Sequence, residues 1–74
     1  MCGIVAICSH SPVNQLLLNE LDHLRYRGYD SAGYALLSNQ GSLHIQHSTD
    51  KEAINTLRSD SSTQPEAHIG IAHT

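Results

Sequence analysis

Basic residues are scarce in this chain, and their scarcity limits the partners that it can bind. There are 4 lysine and arginine residues against 7 aspartate and glutamate residues, which gives a formal net charge of −3. Nucleic acids and anionic membrane surfaces are bound largely by clusters of lysine and arginine that neutralise phosphate groups. The composition therefore argues against both as partners of this protein.

Cysteine is also rare, and the apolar runs are short. The 2 cysteines, Cys2 and Cys8, lie six positions apart on one predicted strand. An extended strand separates such residues by about 20 Å, whereas a disulfide needs Cα atoms within about 7 Å, so these two cannot pair. The apolar run Ile4–Ile7 is too short for a signal-peptide core or a membrane span. Free thiols without an export signal favour the reducing cytoplasm.

Histidine is plentiful by comparison, but it is scattered. Of the 6 histidines, the two that are nearest in sequence are His44 and His47. They fall on opposite faces of a predicted strand, where side chains alternate. No cysteine or carboxylate stands beside them at the spacing of a zinc site. We therefore expect no metal site and no cofactor.

The length of the chain allows one small domain. A chain of 74 residues buries only about 60% of its unfolded surface on folding, so its stability is marginal. A predicted strand over residues 68–72 is followed at once by the end of the sequence. We expect that residues 1–74 are the N-terminal fragment of a longer domain, and that strand 68–72 lacks neighbours.

The spacing of apolar residues predicts the order β, α, β, β, α, β. The continuous apolar run over residues 3–8 is typical of a strand covered on both faces. Ser11 is predicted to cap a helix over residues 12–27, with Pro12 in its first position and Gly28 at its end. The core-facing stripe of this helix is predicted to consist of Val13, Leu16, Leu17, Leu21 and Leu24, widened by Leu18.

The second half of the chain predicts a hairpin, a short helix and a last strand. A tight turn over residues 38–41 joins strand 34–37 to a return strand at residues 43–47, whose apolar residues face one way. Thr49 and Glu52 form a capping box, which predicts a helix with Ala53, Ile54 and Leu57 facing inward. The remaining predicted elements are a polar loop over residues 59–65 and the strand over residues 68–72.

Cys2 is the strongest candidate for a reactive residue, because it directly follows the initiator methionine. Once Met1 is removed, the nitrogen of Cys2 becomes an α-amine with a pKa of about 7.7–8.0, close to the working pH. That amine can accept the thiol proton, so one residue carries both a nucleophile and its base. Gly3 suits this role, since a residue without Cβ lets the backbone approach a substrate. The alternative is that Cys2 is a small buried residue, as we expect for an inert Cys8.

A second candidate lies in the turn-rich stretch between the first helix and the second strand. Arg27 and Asp30, beside small residues that include Gly33, can form a hydrogen-bonded corner that fixes the neighbouring backbone. An ordinary connection between a helix and a strand explains the same spacing equally well.

Three stretches of the chain together resemble the opening of the class II, or N-terminal-nucleophile, glutamine amidotransferase family. They are Met1-Cys2-Gly3-Ile4-Val5, Leu24-Arg25-Tyr26-Arg27-Gly28-Tyr29-Asp30-Ser31-Ala32-Gly33 and Gly70-Ile71-Ala72-His73-Thr74. Their order and spacing match those of the family, and the Arg-Gly-x-Asp-Ser-x-Gly block is specific for it. Tyr26 and Tyr29 are most similar to the glucosamine-6-phosphate synthase branch, because other branches usually have His at the first position and Gln or Pro at the second.

The resemblance implies an α+β fold, as part of the four-layer α/β/β/α sandwich of the N-terminal-nucleophile hydrolases. It implies that Cys2 is the catalytic residue, which attacks the side-chain amide of glutamine and releases ammonia. Arg27, Asp30 and Gly33 are implied as a corner that supports the nucleophile strand. In the intact enzyme, the resemblance implies transfer of ammonia to fructose 6-phosphate, a homodimer and a cytoplasmic location.

Two other interpretations stay open at this point. One is another class II amidotransferase, such as an amidophosphoribosyltransferase. The other is a small non-enzymatic domain, which leaves the placement of Cys2 and the Arg-Gly-x-Asp-Ser-x-Gly block unexplained. The substrate-binding motifs that the family has further along its sequence are not among these 74 residues, so we expect the chain alone to be inactive.

Overall fold

A computed structural model of the chain describes residues 3–24 and 31–74. In these residues two helices pack on one face of a four-stranded antiparallel sheet. The elements are β1 (Ile4–Cys8), α1 (Asn14–Asp22), β2 (Ala32–Ser38), β3 (Leu43–Ser48), α2 (Ala53–Ser61) and β4 (Ala67–His73). The predicted order of elements and the α+β class are confirmed.

The sheet has the strand order β1-β4-β2-β3. β4 therefore lies inside the sheet, paired with β1 on one side and β2 on the other. The expectation that residues 68–72 lack neighbours is wrong. Residues 69–73 of β4 run antiparallel to residues 4–8 of β1, so the last described strand pairs with the first.

The core lies between the helices and the sheet. Its fully buried helix residues include Leu17, Leu18 and Leu21 of α1, together with Ile54 of α2. Leu16 is 44% exposed, so its predicted place in the core-facing stripe is wrong. The inward positions predicted for α2 are confirmed, since Ala53, Ile54 and Leu57 are each at most 2% exposed.

The beginning of α1 differs from the prediction. The residue before its first turn is Val13 rather than Ser11, and no side chain caps the helix. The N–H of Val13 instead donates to the carbonyl of Ala67, at 2.8 Å, and ties the start of α1 to β4. A tertiary hydrogen bond, rather than the side chain of Ser11, thus satisfies a backbone N–H at the start of α1.

The end of α1 also comes earlier than predicted. The helix ends at Asp22 with His23 as its C-cap, so Gly28, which lies outside the described residues, is not the residue that terminates it.

At α2 the expected capping box is not formed. The side chain of Asp50 accepts from the N–H of Glu52 at 2.8 Å, and its carbonyl accepts from the N–H of Ala53 at 3.2 Å. These two bonds form a turn just before α2, whose N-cap residue is Glu52, and no side chain caps the helix. α2 also continues through Ser61, into the stretch that we predicted to be a loop from residue 59.

The hairpin between β2 and β3 has the predicted turn. The N–H of Gly41 donates to the carbonyl of Ser38 at 2.9 Å, and the N–H of Ser38 donates to the carbonyl of Ser42 at 2.8 Å. Gly41 has a φ of 85°, a left-handed value that glycine adopts without the steric penalty of a Cβ atom. The hairpin prediction is confirmed.

The sheet face opposite the helices, which we call the outer face, is apolar and uncovered by any described residue. Ile4 is 78% exposed and Ile45 64% exposed. Cross-strand pairing places its residues in three rows: Ile4, His73, Gly33 and His47; Ala6, Ile71, Ala35 and Ile45; Cys8, Ile69, Leu37 and Leu43. Within residues 3–24 and 31–74 alone, the expectations that strand 3–8 is covered on both faces and that Cys8 is buried do not hold, because alternation directs Cys8 to this uncovered face.

Within residues 3–24 and 31–74, neither helix has the length and apolar character needed to cross a membrane.

Candidate functional site

Gly3 marks the candidate site, because it is the described residue that is covalently joined to Cys2. Cys2 itself lies outside the described residues. The N–H of Gly3 donates to the side-chain hydroxyl of Thr74 at 3.0 Å, and its carbonyl accepts from the N–H of Thr74 at 3.0 Å. Two hydrogen bonds to one residue therefore hold the beginning of β1 against the end of β4.

The space around Gly3 is also occupied. A Cβ atom at this position would lie 2.7 Å from Cδ1 of Leu24 and 3.3 Å from Oγ1 of Thr74. Contacts below 3 Å require the neighbour to move, and Leu24 packs against the core. A larger residue at this position would require the side chain of Leu24 to move.

Gly33 lies on the outer face, at the same end of the sheet. It is paired with His47 on β3 and with His73 on β4, and the two imidazole rings stack with centroids 6.0 Å apart and an angle of 23°. A Cβ atom at Gly33 would lie 2.8 Å from Nε2 of His73 and 3.1 Å from the carbonyl oxygen of Gln46. Because Gly33 has no Cβ atom, both imidazole rings can pack against β2 at this position.

The structure does not test the predicted corner of Arg27, Asp30 and Gly33. Arg27 and Asp30 lie outside the described residues, and only the position of Gly33 in β2 is known. The corner stays a prediction.

A shallow apolar cavity of about 500 Å³ lies on the outer face beside the histidine pair. Its lining includes Ile4, Ile45, Ile71, His47 and His73. Because Ile4 follows Gly3 directly, the cavity opens at the end of β1 nearest to Cys2. Sequence reasoning missed this cavity, since it treated the histidines as scattered and did not foresee which strands pair.

Cys8, the other thiol, is free and exposed at the opposite end of β1 from Gly3. Four residue steps of about 3.3 Å separate Cys8 from Ile4 along an extended strand. Cys8 therefore lies at the end of β1 that is remote from the candidate site.

A polar contact that sequence reasoning missed lies on the helix side of the sheet. The hydroxyl of Tyr34 donates a short hydrogen bond to Asp60 of α2. Burial, together with the contact with Asp60, raises the pKa of Tyr34 above its usual range. The sequence of β2 could have predicted this contact, because alternate residues of a strand share a face. Tyr34 shares the buried face with Leu36, and a buried phenol needs a hydrogen-bond partner.

Among the described residues, no group of three or more histidine, cysteine, aspartate or glutamate side chains could hold a metal ion.

Comparison with known proteins gives a consistent result. No family model matches the chain. Curated relatives that it matches are named glutamine--fructose-6-phosphate aminotransferase [isomerizing]. They include those of Oceanobacillus iheyensis, 43% identical over 74 residues, Rhizobium meliloti, 44% identical over 75 residues, and Bacillus subtilis, 42% identical over 74 residues. Each match covers 100% of this chain and 12% of the relative, so the chain spans about an eighth of the length of these relatives.

Proposed function

We propose, from the premise that this chain belongs with the N-terminal region of the glutamine–fructose-6-phosphate aminotransferase family, that it supplies the nucleophile for glutamine hydrolysis. The observation that carries the proposal is the match itself, which is 43% identical over all 74 residues in one relative. Residue Cys2, joined to a firmly held Gly3, is the proposed catalytic residue.

The proposed reaction begins after removal of Met1. The α-amine of Cys2 accepts the thiol proton, and the thiolate attacks the side-chain amide carbon of glutamine. The carbon–nitrogen bond breaks, the nitrogen leaves as ammonia after taking a proton, and a γ-glutamyl thioester remains on Cys2. Water then hydrolyses the thioester to glutamate and regenerates the thiol. The ammonia is used to convert fructose 6-phosphate into glucosamine 6-phosphate.

The outer face supports a larger architecture for the active protein. An apolar sheet face of this extent needs a covering layer. A second sheet packed on it, with a further helical layer beyond, gives the four-layer α/β/β/α sandwich. We include in the proposal that residues 1–74 form the first part of that domain, with Arg27, Asp30 and Gly33 supporting the nucleophile strand. A homodimer in the cytoplasm completes the proposal.

The proposal is tested by replacing each cysteine in the full-length product of the gene. Cys2→Ala is expected to abolish release of ammonia from glutamine, because the thioester cannot form. Cys8→Ala is the matched control and is expected to retain most of the activity, since Cys8 lies at the other end of β1. Synthesis of glucosamine 6-phosphate from added ammonia should survive Cys2→Ala. Glutamine hydrolysis that persists in Cys2→Ala would refute the assignment.

A further inference from the structure

We infer that the side-chain hydroxyl of Thr74 is a positioning group for the Cys2 nucleophile, through the peptide unit that joins Cys2 to Gly3. The inference rests on the proposed function, since it assigns a role within that same site. Its basis is the hydrogen bond from the N–H of Gly3 to Oγ1 of Thr74, at 3.0 Å.

The pairing of Gly3 with Thr74 departs from a regular ladder. In a hydrogen-bonded antiparallel pair, two opposite residues exchange both N–H to carbonyl bonds. The N–H of Thr74 makes its half of the exchange, to the carbonyl of Gly3 at 3.0 Å. The N–H of Gly3 donates to the threonine side chain instead. A side-chain oxygen is therefore the acceptor for the N–H of the peptide unit that joins Gly3 to Cys2.

The direction of this bond bears directly on Cys2. A peptide unit is planar, so the N–H of Gly3 lies in one plane with the carbonyl group and Cα of Cys2. A hydrogen bond to that N–H limits rotation of the whole plane, and so holds the position of the Cα atom from which the thiol and the amine of Cys2 extend. The side chain of Leu24 lies beside the position that a Cβ atom on Gly3 would take. This apolar contact restricts the space around Gly3 but gives no directional bond.

The chemistry needs such control, because nucleophile and base share one residue and must both reach the substrate amide. A misplacement of the reacting group by about 1 Å can cost on the order of 100-fold in rate. Loss of the hydroxyl would leave the N–H of Gly3 without the acceptor that orients it, while the core of the domain would be untouched.

The test compares Thr74→Val, which keeps the shape and removes the acceptor, with Thr74→Ser, which keeps the oxygen. Thr63→Val is the matched control, because Thr63 is exposed and its hydroxyl donates to the carbonyl of Asp60 at 2.7 Å, away from the site. In the full-length product, Thr74→Val is expected to lower kcat for glutamine hydrolysis by about 10- to 100-fold with little change in KM. Thr74→Ser should restore most of kcat, and Thr63→Val should resemble the wild type.

A second readout does not depend on turnover. The rate at which iodoacetamide alkylates Cys2 is measured against pH by peptide mass spectrometry, in the wild type and in each variant. Thr74→Val is expected to lower this rate, or move its pH profile, relative to the wild type. Thr63→Val should leave both unchanged.

The outcomes separate this inference from the proposed function. Absence of Cys2-dependent glutamine hydrolysis in the wild type would refute the proposed function, and the alkylation rate of Cys2 would still decide the role of Thr74. A Thr74→Val protein that is less stable to heat, yet keeps the wild-type kcat and the wild-type alkylation rate of Cys2, would show that the hydroxyl is only structural and would overturn the inference. An equal loss of kcat in Thr74→Ser would also overturn it.

Discussion

Tyr34 joins the sheet to the helix layer through a polar contact with Asp60 of α2. Its side chain is 2% exposed, and its hydroxyl donates to Asp60, whose side chain also accepts from Nε2 of Gln64 at 3.4 Å. Buried phenols are stable when the hydroxyl is paired, and a hydrogen bond to a charged group contributes about 2 kcal/mol. This contact therefore fixes β2 to α2 more specifically than the surrounding apolar packing does.

We expect Tyr34→Phe to lower the free energy of unfolding by about 2 kcal/mol, since it removes that hydrogen bond and leaves Asp60 with a weaker partner. Denaturation of the purified protein by urea measures the change. Asp60→Asn keeps a carbonyl acceptor for Tyr34 and should cost less. An unchanged unfolding midpoint in Tyr34→Phe would contradict the assigned role.

The same residue predicts a dependence of stability on pH. Folding raises the pKa of Tyr34 through burial and the contact with Asp60, so the folded state holds this proton more tightly than the unfolded state. The stabilisation is complete below the ordinary tyrosine pKa of about 10 and is lost as the pH rises from there towards the raised value. Comparison of wild type and Tyr34→Phe above pH of about 10 isolates this effect, because other titrating groups are common to both proteins.

At the scale of elements, α1 presents its leucines to different surroundings. Leu17 is fully buried, whereas Leu16, the preceding residue, is 44% exposed. Successive helix positions are about 100° apart, and Leu17, Leu18 and Leu21 share the buried side of α1, so Leu16 points away from that side. The two leucines offer a matched comparison within one turn of the same helix.

Leu17→Ala is expected to destabilise the domain by about 2–5 kcal/mol, because it removes apolar contacts and leaves a cavity. Leu16→Ala should cost about 0.5 kcal/mol or less, since its side chain is partly in water and alanine favours the helix. Thermal unfolding monitored by circular dichroism compares the two. Equal losses of stability would show that α1 is rotated relative to the sheet.

The elements themselves could be predicted from sequence, and their ends could not. Apolar spacing and turn residues are local properties, so they were sufficient to predict both helices, the hairpin and the strands. The ends depend on tertiary contacts: α1 begins where Val13 bonds to Ala67 of β4, which no local pattern contains. At α2, Thr49 is a good cap by type, but the helix begins without a side-chain cap, after a turn held by Asp50.

The site was predictable only in part, for a related reason. The sequence identifies Cys2 as the candidate nucleophile by its position behind Met1, and Gly3 as the residue that permits close approach. It does not reveal that Thr74 holds Gly3, because 71 positions separate the two residues and only the pairing of β1 with β4 brings them together. Long-range register, which depends on the whole sheet, is the information that local patterns lack.

At the scale of the whole molecule, the outer face is the dominant feature. Isoleucine and leucine side chains from all four strands line it, including Ile4, Leu37, Ile45 and Ile71. Contiguous apolar patches of this kind mark surfaces that bind another layer or another molecule. The helix side needs no such partner, because its apolar residues already form the core.

A chain of residues 1–74 produced by itself is therefore expected to self-associate through the outer face and to show no measurable glutamine hydrolysis. Sedimentation velocity measures the association. Ile45→Thr and Ile71→Thr should reduce it, since both side chains are exposed and threonine keeps the preference for a strand. Ile54→Thr, at a position that is 1% exposed, is the control and should destabilise the fold instead. A monomer at high concentration would contradict this view of the face.

The most direct test of the central claim, that Cys2 is an N-terminal nucleophile, is one mass-spectrometric experiment on the full-length gene product. The protein is treated with a glutamine-analogue electrophile, digested, and its N-terminal peptide is sequenced by fragmentation. We predict a peptide that begins at Cys2, with Met1 removed and the adduct on the Cys2 sulfur, while Cys8 stays unmodified. A peptide that retains Met1 in active protein, or an adduct on Cys8 in preference to Cys2, would contradict the claim.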